Sequence, residues 1–217
     1  MRQPSIIVLL IALVIMGISP AAFGAIRGKI DYSIPVDYSK LSEPELESKA
    51  KVYYFNALKY KDNKINEDIT NALMLYNVLL NMNPDSLNYC VKLGSLYDKL
   101  GMDKHARGNF ARAIGIDNSQ PEPYFYYGEF YYKREMYRKA LKYYGEAYSR
   151  GYTTNYDMLY KMGDIYEKFG DTRSALKYLQ DASAQNPNSE LDNKIKRIEA
   201  QDSINNEYYS NTRIRIK

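Results

Sequence analysis

Few side chains in this sequence could carry out catalysis or hold a metal ion. His105 is the single histidine, which excludes a histidine-based metal cluster and leaves little support for a catalytic triad. The single cysteine, Cys90, stands on an apolar helical stripe, which favours a buried thiol over a nucleophile. The glycines are isolated, so no phosphate-binding loop is present. We therefore expect no enzymatic activity, no metal and no cofactor.

Charge and aromatic content point to packing and recognition rather than to nucleic-acid binding. The formal net charge is +4, and acidic and basic residues are mixed along the whole chain, so no basic footprint for nucleic acid is evident. Tyrosine supplies 24 residues, against six phenylalanines and no tryptophan, and many of the tyrosines recur at helical spacing. Most tyrosines are therefore expected to be structural.

A sequence repeat must position these side chains. Gly94, Gly128 and Gly163 follow one another at intervals of 34 and 35 residues, and a period of this size is typical of repeat architectures. Within a unit, apolar residues fall three and four positions apart in two stretches joined by a turn, which predicts a helix hairpin. The matching sets are Leu93, Gly94, Tyr97, Ala106, Phe110 and Ala113; Tyr127, Gly128, Tyr131, Ala140, Tyr144 and Ala147; and Met162, Gly163, Tyr166, Ala175, Leu179 and Ala182.

Glycines and alanines account for the geometry expected of each hairpin. Gly101 and Gly170 stand in the turn between the helices, where a left-handed helix end favours a residue without Cβ. Facing small residues, such as Gly94 with Ala106, would let the two helix backbones approach closely.

These motifs resemble the tetratricopeptide repeat (TPR), in which a Leu/Gly pair, an aromatic residue, Ala, a second aromatic residue and Ala recur and a Pro closes the unit. Pro84 and Pro187 stand at closing positions, whereas Asn118 and Tyr152 occupy the other two. The resemblance covers residues 50–187 and implies an all-α fold, a right-handed superhelical solenoid of about four helix hairpins. Residues 42–84 would form a degenerate first repeat and residues 85–187 three TPR-like repeats.

The segments outside the repeats have their own signals. Ser42 followed by Pro44 and Glu45 predicts a capping box that opens the first helix. After Pro187, apolar residues at positions 191, 195 and 198 predict a capping helix over residues 188–206, followed by a flexible tail over 207–217. Residues 25–41 are expected to form an extended linker.

The N-terminal segment is typical of an export signal. Thirteen uncharged, almost wholly apolar residues run from Ile6 to Ile18, after Arg2 and before Pro20. This pattern predicts a signal peptide over residues 1–24, and therefore a periplasmic or extracellular protein. The alternative is a retained membrane anchor over residues 6–26, although the apolar run is short for a span of about 20 residues.

The TPR resemblance also implies where a partner would bind. In that family the first helices of successive hairpins line a concave groove, and the residues one helical turn from the packing positions point into it. In this chain those positions form an aromatic strip edged by alternating charge. The lining residues implied are Tyr54, Val91, Lys99, Phe125, Glu129, Tyr132, Lys133, Tyr160, Asp164 and Lys168, with Ser95, Asp98 and Glu167 between them.

Two interpretations of the charged residues remain open. Glu129 with Lys133, and Asp164 with Lys168, have the i,i+4 spacing of pairs that support their own helix by roughly 0.2–0.5 kcal/mol each. Alternatively, Glu129 and Asp164 could face a basic residue of a partner.

The sequence thus predicts a non-enzymatic adaptor of the bacterial cell envelope that holds a segment of another protein in the groove. Phe125 and Tyr160 would be its apolar anchors. The alternative is a cell-wall glycan-binding module that uses the aromatic side chains of Tyr54, Phe125, Tyr132 and Tyr160. A third possibility is that the linker or the tail of the chain itself lies in the groove. Membrane contact is expected only if the N-terminal segment is retained.

Overall fold

The structure is a computed structural model, and it describes residues 41–59 and 66–214, with side chains up to residue 204. Within these residues the chain forms helices and no strand, so the all-α prediction is confirmed. The predicted signal segment and all but the last residue of the predicted linker lie outside the described residues. The helices are α1 (Glu43–Lys59), α2 (Glu67–Met82), α3 (Leu87–Lys99), α4 (Asp103–Ile116), α5 (Glu122–Tyr132), α6 (Tyr137–Ser149), α7 (Tyr156–Lys168), α8 (Thr172–Gln185) and α9 (Ser189–Ile214).

The chain divides into two compact units, Met1–Asn118 and Ser119–Lys217. In the first unit, α1 pairs with α2 and α3 pairs with α4. The predicted capping box opens α1, since the backbone N–H of Ser42 donates to Glu45 at 2.8 Å and its hydroxyl donates to the same carboxylate at 2.7 Å. The side-chain oxygens of Asn66 and Ser86 cap α2 and α3 by accepting from the backbone N–H groups of Ile69 and Tyr89.

In the second unit, α5 pairs with α6, α7 pairs with α8, and α9 packs on α8. Leu191, Ile195 and Ile198 are buried against Leu179 and Ala182, so the apolar stripe predicted for the capping helix is confirmed. The helix continues beyond residue 206, where the sequence analysis ended it, to Ile214. The absence of Pro and Gly from residues 188–217 explains why no earlier end was imposed.

In three hairpins, those that begin with α3, α5 and α7, the first helix approaches its second helix through a glycine, but the contact differs from the one predicted. The ring of Phe110, rather than Ala106, lies over Gly94, and a Cβ there would come within 2.6 Å of it. Gly128 meets Tyr144 and Gly163 meets Leu179 in the same way. A glycine is therefore needed at each position, because a large side chain of the second helix occupies the space that a Cβ would take.

The turn inside three hairpins uses one backbone conformation. Gly101 and Gly170 have φ values of +69° and +76°, so the predicted left-handed helix end is confirmed. The equivalent position in the α5–α6 hairpin is Glu135, with φ of +56°. A side chain in this region is strained, since Cβ approaches the following carbonyl oxygen.

Candidate functional site

In the first unit the predicted groove residues are mostly enclosed. Val91 is fully buried and Tyr54 is almost so, which corrects the prediction that they line an accessible strip. The physical reason is that α3 is packed by α1, α2 and α4 together, so most of its circumference is covered. The Tyr54 ring meets the Tyr76 ring edge-on at 6.0 Å, and the Lys92 ammonium lies 4.9 Å from its centroid. Lys99 is half-buried at the end of α3.

In the second unit the equivalent residues reach the surface. Phe125 on α5 and Tyr160 on α7 are each half-buried. The Phe125 ring lies 5.0 Å from that of Tyr152, and the Tyr160 ring stacks on Tyr156 at 6.1 Å with an interplanar angle of 23°. Both rings thus contact neighbouring aromatic side chains while part of each remains accessible.

Glu129 links α5 to the two neighbouring helices of its unit. Both of its carboxylate oxygens accept from the Lys161 ammonium on α7 at 2.7 Å, and one accepts from the Tyr144 hydroxyl on α6 at 2.5 Å. Lys161 also lies 5.2 Å from the centroid of the half-buried Tyr132 ring. Lys161 comes from the next first helix, whereas the i,i+4 neighbour considered from the sequence was Lys133, which is exposed directly after α5.

Asp164 joins α7 to α9. It accepts from Lys168 at 2.9 Å, which confirms that i,i+4 pair, and from Lys194 of α9 at 3.0 Å. Lys194 also contacts Glu167 at 3.0 Å, and Arg197 contacts Glu167 at 2.8 Å. Burial alone would raise the pKa of Asp164, but the hydrogen bonds from the two lysines outweigh it and hold that pKa below its ordinary value.

A cavity of about 460 Å³ lies between α7 and α9, beside this ion-pair network. Tyr156 and Tyr160 form its aromatic wall, and the Lys194 ammonium lies 5.0 Å from the Tyr160 centroid. Asn188 donates to the Tyr156 hydroxyl at 3.2 Å. The remaining lining residues belong to the first turns of α9, and all but Leu191 are polar or charged: Glu190, Leu191, Asn193 and Arg197. The cavity therefore offers apolar ring faces next to amide, carboxylate and guanidinium groups.

Sequence reasoning missed the lysines that organise this face. Lys92 and Lys161 occupy the same repeat position, directly after Val91 and Tyr160, and each lies over a tyrosine ring of the first helix that precedes it in its own unit. That recurrence is visible in the sequence and could have identified both. Lys194 and Arg197 lie outside the repeat pattern, so only the packing of α9 reveals them.

The residues set aside as non-catalytic have ordinary surroundings. The Cys90 thiol is fully buried, and this burial raises its pKa. The half-buried His105 ring lies 5.1 Å from that of Tyr97. Among the described residues, no group of three metal-ligating side chains is close enough to hold an ion. Over the same residues, none of the helices combines the length and apolarity of a membrane span.

Comparison with known proteins identifies the repeats. Family models described as tetratricopeptide repeat match residues 87–120 and 157–189. A TPR repeat-containing protein of Methanocaldococcus jannaschii is 26% identical over 147 residues, which is 64% of this chain. The chain spans about a quarter of that relative's length, since the match covers 26% of it.

Solved structures share the fold at low identity. YrrB, a TPR protein with an unusual peptide-binding site, has a TM-score of 0.55 and 24% identity over 62% of this chain and 70% of its own. Pseudomonas aeruginosa PilF has a TM-score of 0.56 and 17% identity, over 73% of this chain and 71% of its own.

The helix hairpins and the matched repeats define an all-α repeat protein. Residues 87–120 and 157–189 are therefore identified as tetratricopeptide repeats.

Proposed function

We propose that this protein is a non-enzymatic adaptor that binds an extended segment of a partner protein on the face formed by α5, α7 and α9. The observation that carries the proposal is the cavity of about 460 Å³ walled by Tyr156 and Tyr160. Its volume is in the range of pockets that enclose a bound group, and an apolar side chain placed there would cover ring surface that is now accessible. Phe125 would offer a second anchor on α5.

Polar groups beside the rings would orient the segment. The Asn188 and Asn193 side chains can each donate to and accept from a peptide backbone. Glu129 and Asp164 are already bound by lysines, so a basic partner residue is no longer needed to satisfy them, in contrast to the sequence-based expectation. Arg197, with 69% of its side chain exposed, is the better placed charge for an added contact.

The proposed cellular location depends on the N-terminal segment. If residues 1–24 act as an export signal, the partner is another protein of the bacterial envelope. N-terminal sequencing of the protein isolated from fractionated cells tests this: a mature chain beginning near residue 25 in the exported fraction supports export, and an intact chain in the cytosolic fraction contradicts it.

Affinity capture with matched variants tests the binding face. Extract proteins are passed over the wild-type chain, over Phe125→Ala/Tyr160→Ala, and over Phe169→Ala, which removes an exposed ring outside the cavity. We expect a partner retained by the wild type and by Phe169→Ala and lost with the double variant, whose helicity should remain. Retention by all three proteins would contradict the proposed face.

A glycan-binding module is the second candidate, favoured by the tyrosine pair that stands beside amide, carboxylate and guanidinium groups in the cavity. Sugar rings stack on aromatic faces while such polar groups bind their hydroxyls. Co-sedimentation with purified cell-wall material separates the candidates: a glycan module should pellet and lose this property with Tyr160→Ala, whereas a peptide adaptor should stay in solution.

A further inference from the structure

The outer face of α1 carries exposed apolar side chains. The helix packs against α2 and α3. Its buried residues are Leu46, Ala50, Tyr54 and Ala57. On the opposite side Val52 and Phe55 are 58% and 64% exposed, and Leu58 beside them is 44% exposed. One exposed apolar side chain needs no explanation, but three together on one face of a helix indicate a contact surface.

Two of these side chains belong to a longer exposed stripe along α1. Its members follow one another at intervals of three, four, three and four residues, which keeps them on the side of the helix opposite the buried residues. The stripe consists of Glu45, Ser48, Val52, Phe55 and Lys59. This spacing is the one by which two long helices pack side by side. The stripe therefore fits another helix rather than an irregular segment.

The stripe is complementary to itself when a second α1 runs in the opposite direction. Val52 is its centre, and Glu45 and Lys59 are each seven residues away, about 10.5 Å along the helix axis. In an antiparallel pair Val52 would face Val52 of the second copy, and the Glu45 carboxylate would face the Lys59 ammonium. The large ring of Phe55 would lie beside the small side chain of Ser48. A two-fold axis makes each unlike contact twice.

The charges at the two ends of the stripe decide the direction of the pair. A parallel arrangement would place Glu45 against Glu45 and Lys59 against Lys59, and like charges that face each other are unfavourable. Both capping hydrogen bonds of Glu45 end on its Oε2, which leaves Oε1 for a lysine. Lys51, at the border of the stripe, pairs with Glu47 of its own helix at 2.9 Å. The charges within the stripe therefore favour the antiparallel arrangement.

We infer that two copies of this chain associate through antiparallel packing of their α1 helices. A second copy fits better than an unrelated helix, because only pairing with itself requires the two ends of one stripe to match. The contact is separate from the proposed binding face on α5, α7 and α9, so a dimer carries two such faces and can bind a partner with repeated segments more tightly. A single helix pair buries less than the roughly 800 Å² per partner of a typical stable complex, so we expect a dissociation constant of about 10–100 µM.

Sedimentation equilibrium of the full chain tests the dimer. The mass of the wild type should rise from monomer to dimer between about 1 and 500 µM. Phe55→Ser should weaken association at least about tenfold, and Lys59→Glu should weaken it as well, because an acid then faces Glu45. Lys49→Ser is the matched control, since Lys49 is exposed on the same helix outside the stripe, and it should associate as the wild type does. Equal association of all four proteins would contradict the α1 contact.

Cysteine crosslinking tests the antiparallel register. Val52→Cys should oxidise readily to a disulfide-linked dimer, because the two-fold axis brings the two copies of this residue together. Ser48→Cys and Phe55→Cys should each crosslink slowly alone but form a mixed dimer when the two proteins are combined. The native Cys90 is fully buried and should not compete. Crosslinking of Lys49→Cys as fast as Val52→Cys, or of Ser48→Cys alone as fast as the mixture, would contradict the register.

Two further results would overturn the assignment. A wild-type chain that stays monomeric at about 500 µM would show that the stripe does not pair with a second copy. If the indole of Phe55→Trp is shielded from water in such a monomer, the stripe is covered by another part of the same chain, which has no tryptophan of its own. A dimer that forms but does not crosslink through Val52→Cys would assign the association to a different face.

Discussion

Val91 in the first unit and Tyr160 in the second occupy the same repeat position, the fifth residue of a first helix, but have different surroundings. Val91 is fully buried, whereas Tyr160 is half-buried beside a cavity. Ser95 donates to the carbonyl of Val91 on its own helix, whereas its equivalents Glu129 and Asp164 bind lysines two helices further along the chain. Repeat register therefore fixes which side of the helix a residue faces, but the neighbouring helices decide whether it is accessible.

The largest expected difference between the two units is in the stability lost when a carboxylate is placed at this repeat position. Val91→Asp should lower the free energy of unfolding by more than about 4 kcal/mol, since it buries a charge without a partner. Tyr160→Asp should lower it by about 1–2 kcal/mol, the loss of a half-buried ring. Urea unfolding followed by circular dichroism measures both. Equal costs would show that the two positions do not differ in accessibility.

The two units should respond alike to substitution of the glycine at which a first helix meets its second helix, because this contact occurs within each unit. Gly94→Ala and Gly128→Ala should each cost about 1–3 kcal/mol, because the Phe110 and Tyr144 rings fill the space of the added methyl. Gly108→Ala and Gly145→Ala are matched controls, since both glycines are helical and open. They should raise stability by about 0.5–1 kcal/mol. Thermal unfolding of the four variants measures these changes in stability. A similar change at all four sites would contradict the close contact at Gly94 and Gly128.

Acid should affect the ion pairs of the second unit. Because the pKa of Asp164 is lowered in the folded protein, its stabilisation is present above the ordinary carboxyl value of 3.8 and is lost as the pH falls through the lowered pKa. Asp164→Asn should cost about 1 kcal/mol at neutral pH, and the difference from wild type should vanish in strong acid. Urea midpoints measured between neutral and acidic pH test this; a difference that persists unchanged in strong acid would exclude the ionic origin.

The smallest effect compares the hairpin turns. Glu135→Gly should raise stability by about 0.5–1 kcal/mol, because glycine has no side chain to be strained at the positive φ of this residue. Gly101→Ala in the first unit should lower it by a similar amount. Thermal midpoints report both, and a loss of stability in Glu135→Gly would mean that the Glu135 side chain makes a contact worth more than the strain.

The fold was predictable because its causes repeat in the sequence. The glycine interval, the apolar stripes and the residue types at Ser42, Gly101 and Gly170 act locally, and each could be recognised from a few neighbours. The glycine contact was only half predicted. The spacing identified Gly94 as a close approach, but the residue that fills the space, Phe110, depends on how two helices pack.

The candidate site was less predictable, because accessibility and ion pairing involve residues far apart in the chain. Glu129 is 32 residues away from its partner Lys161 in the sequence, whereas the i,i+4 spacing suggested Lys133 as the partner. Val91 is on a helix that three other helices surround, and the residue type at one repeat position does not reveal how many helices pack around it. The cavity requires α9, whose Lys194 and Arg197 follow the last repeat and have no equivalent within it.

The most direct test of the binding face is the dissociation constant of the captured partner for three proteins: the wild type, Tyr160→Ala and Phe169→Ala. Tyr160→Ala should weaken binding at least about tenfold, a loss of about 1.4 kcal/mol, because the ring that walls the cavity is removed. Phe169→Ala should bind as the wild type does. Equal affinity of all three proteins would contradict the proposal that the face of α5, α7 and α9 is where this TPR protein holds its partner.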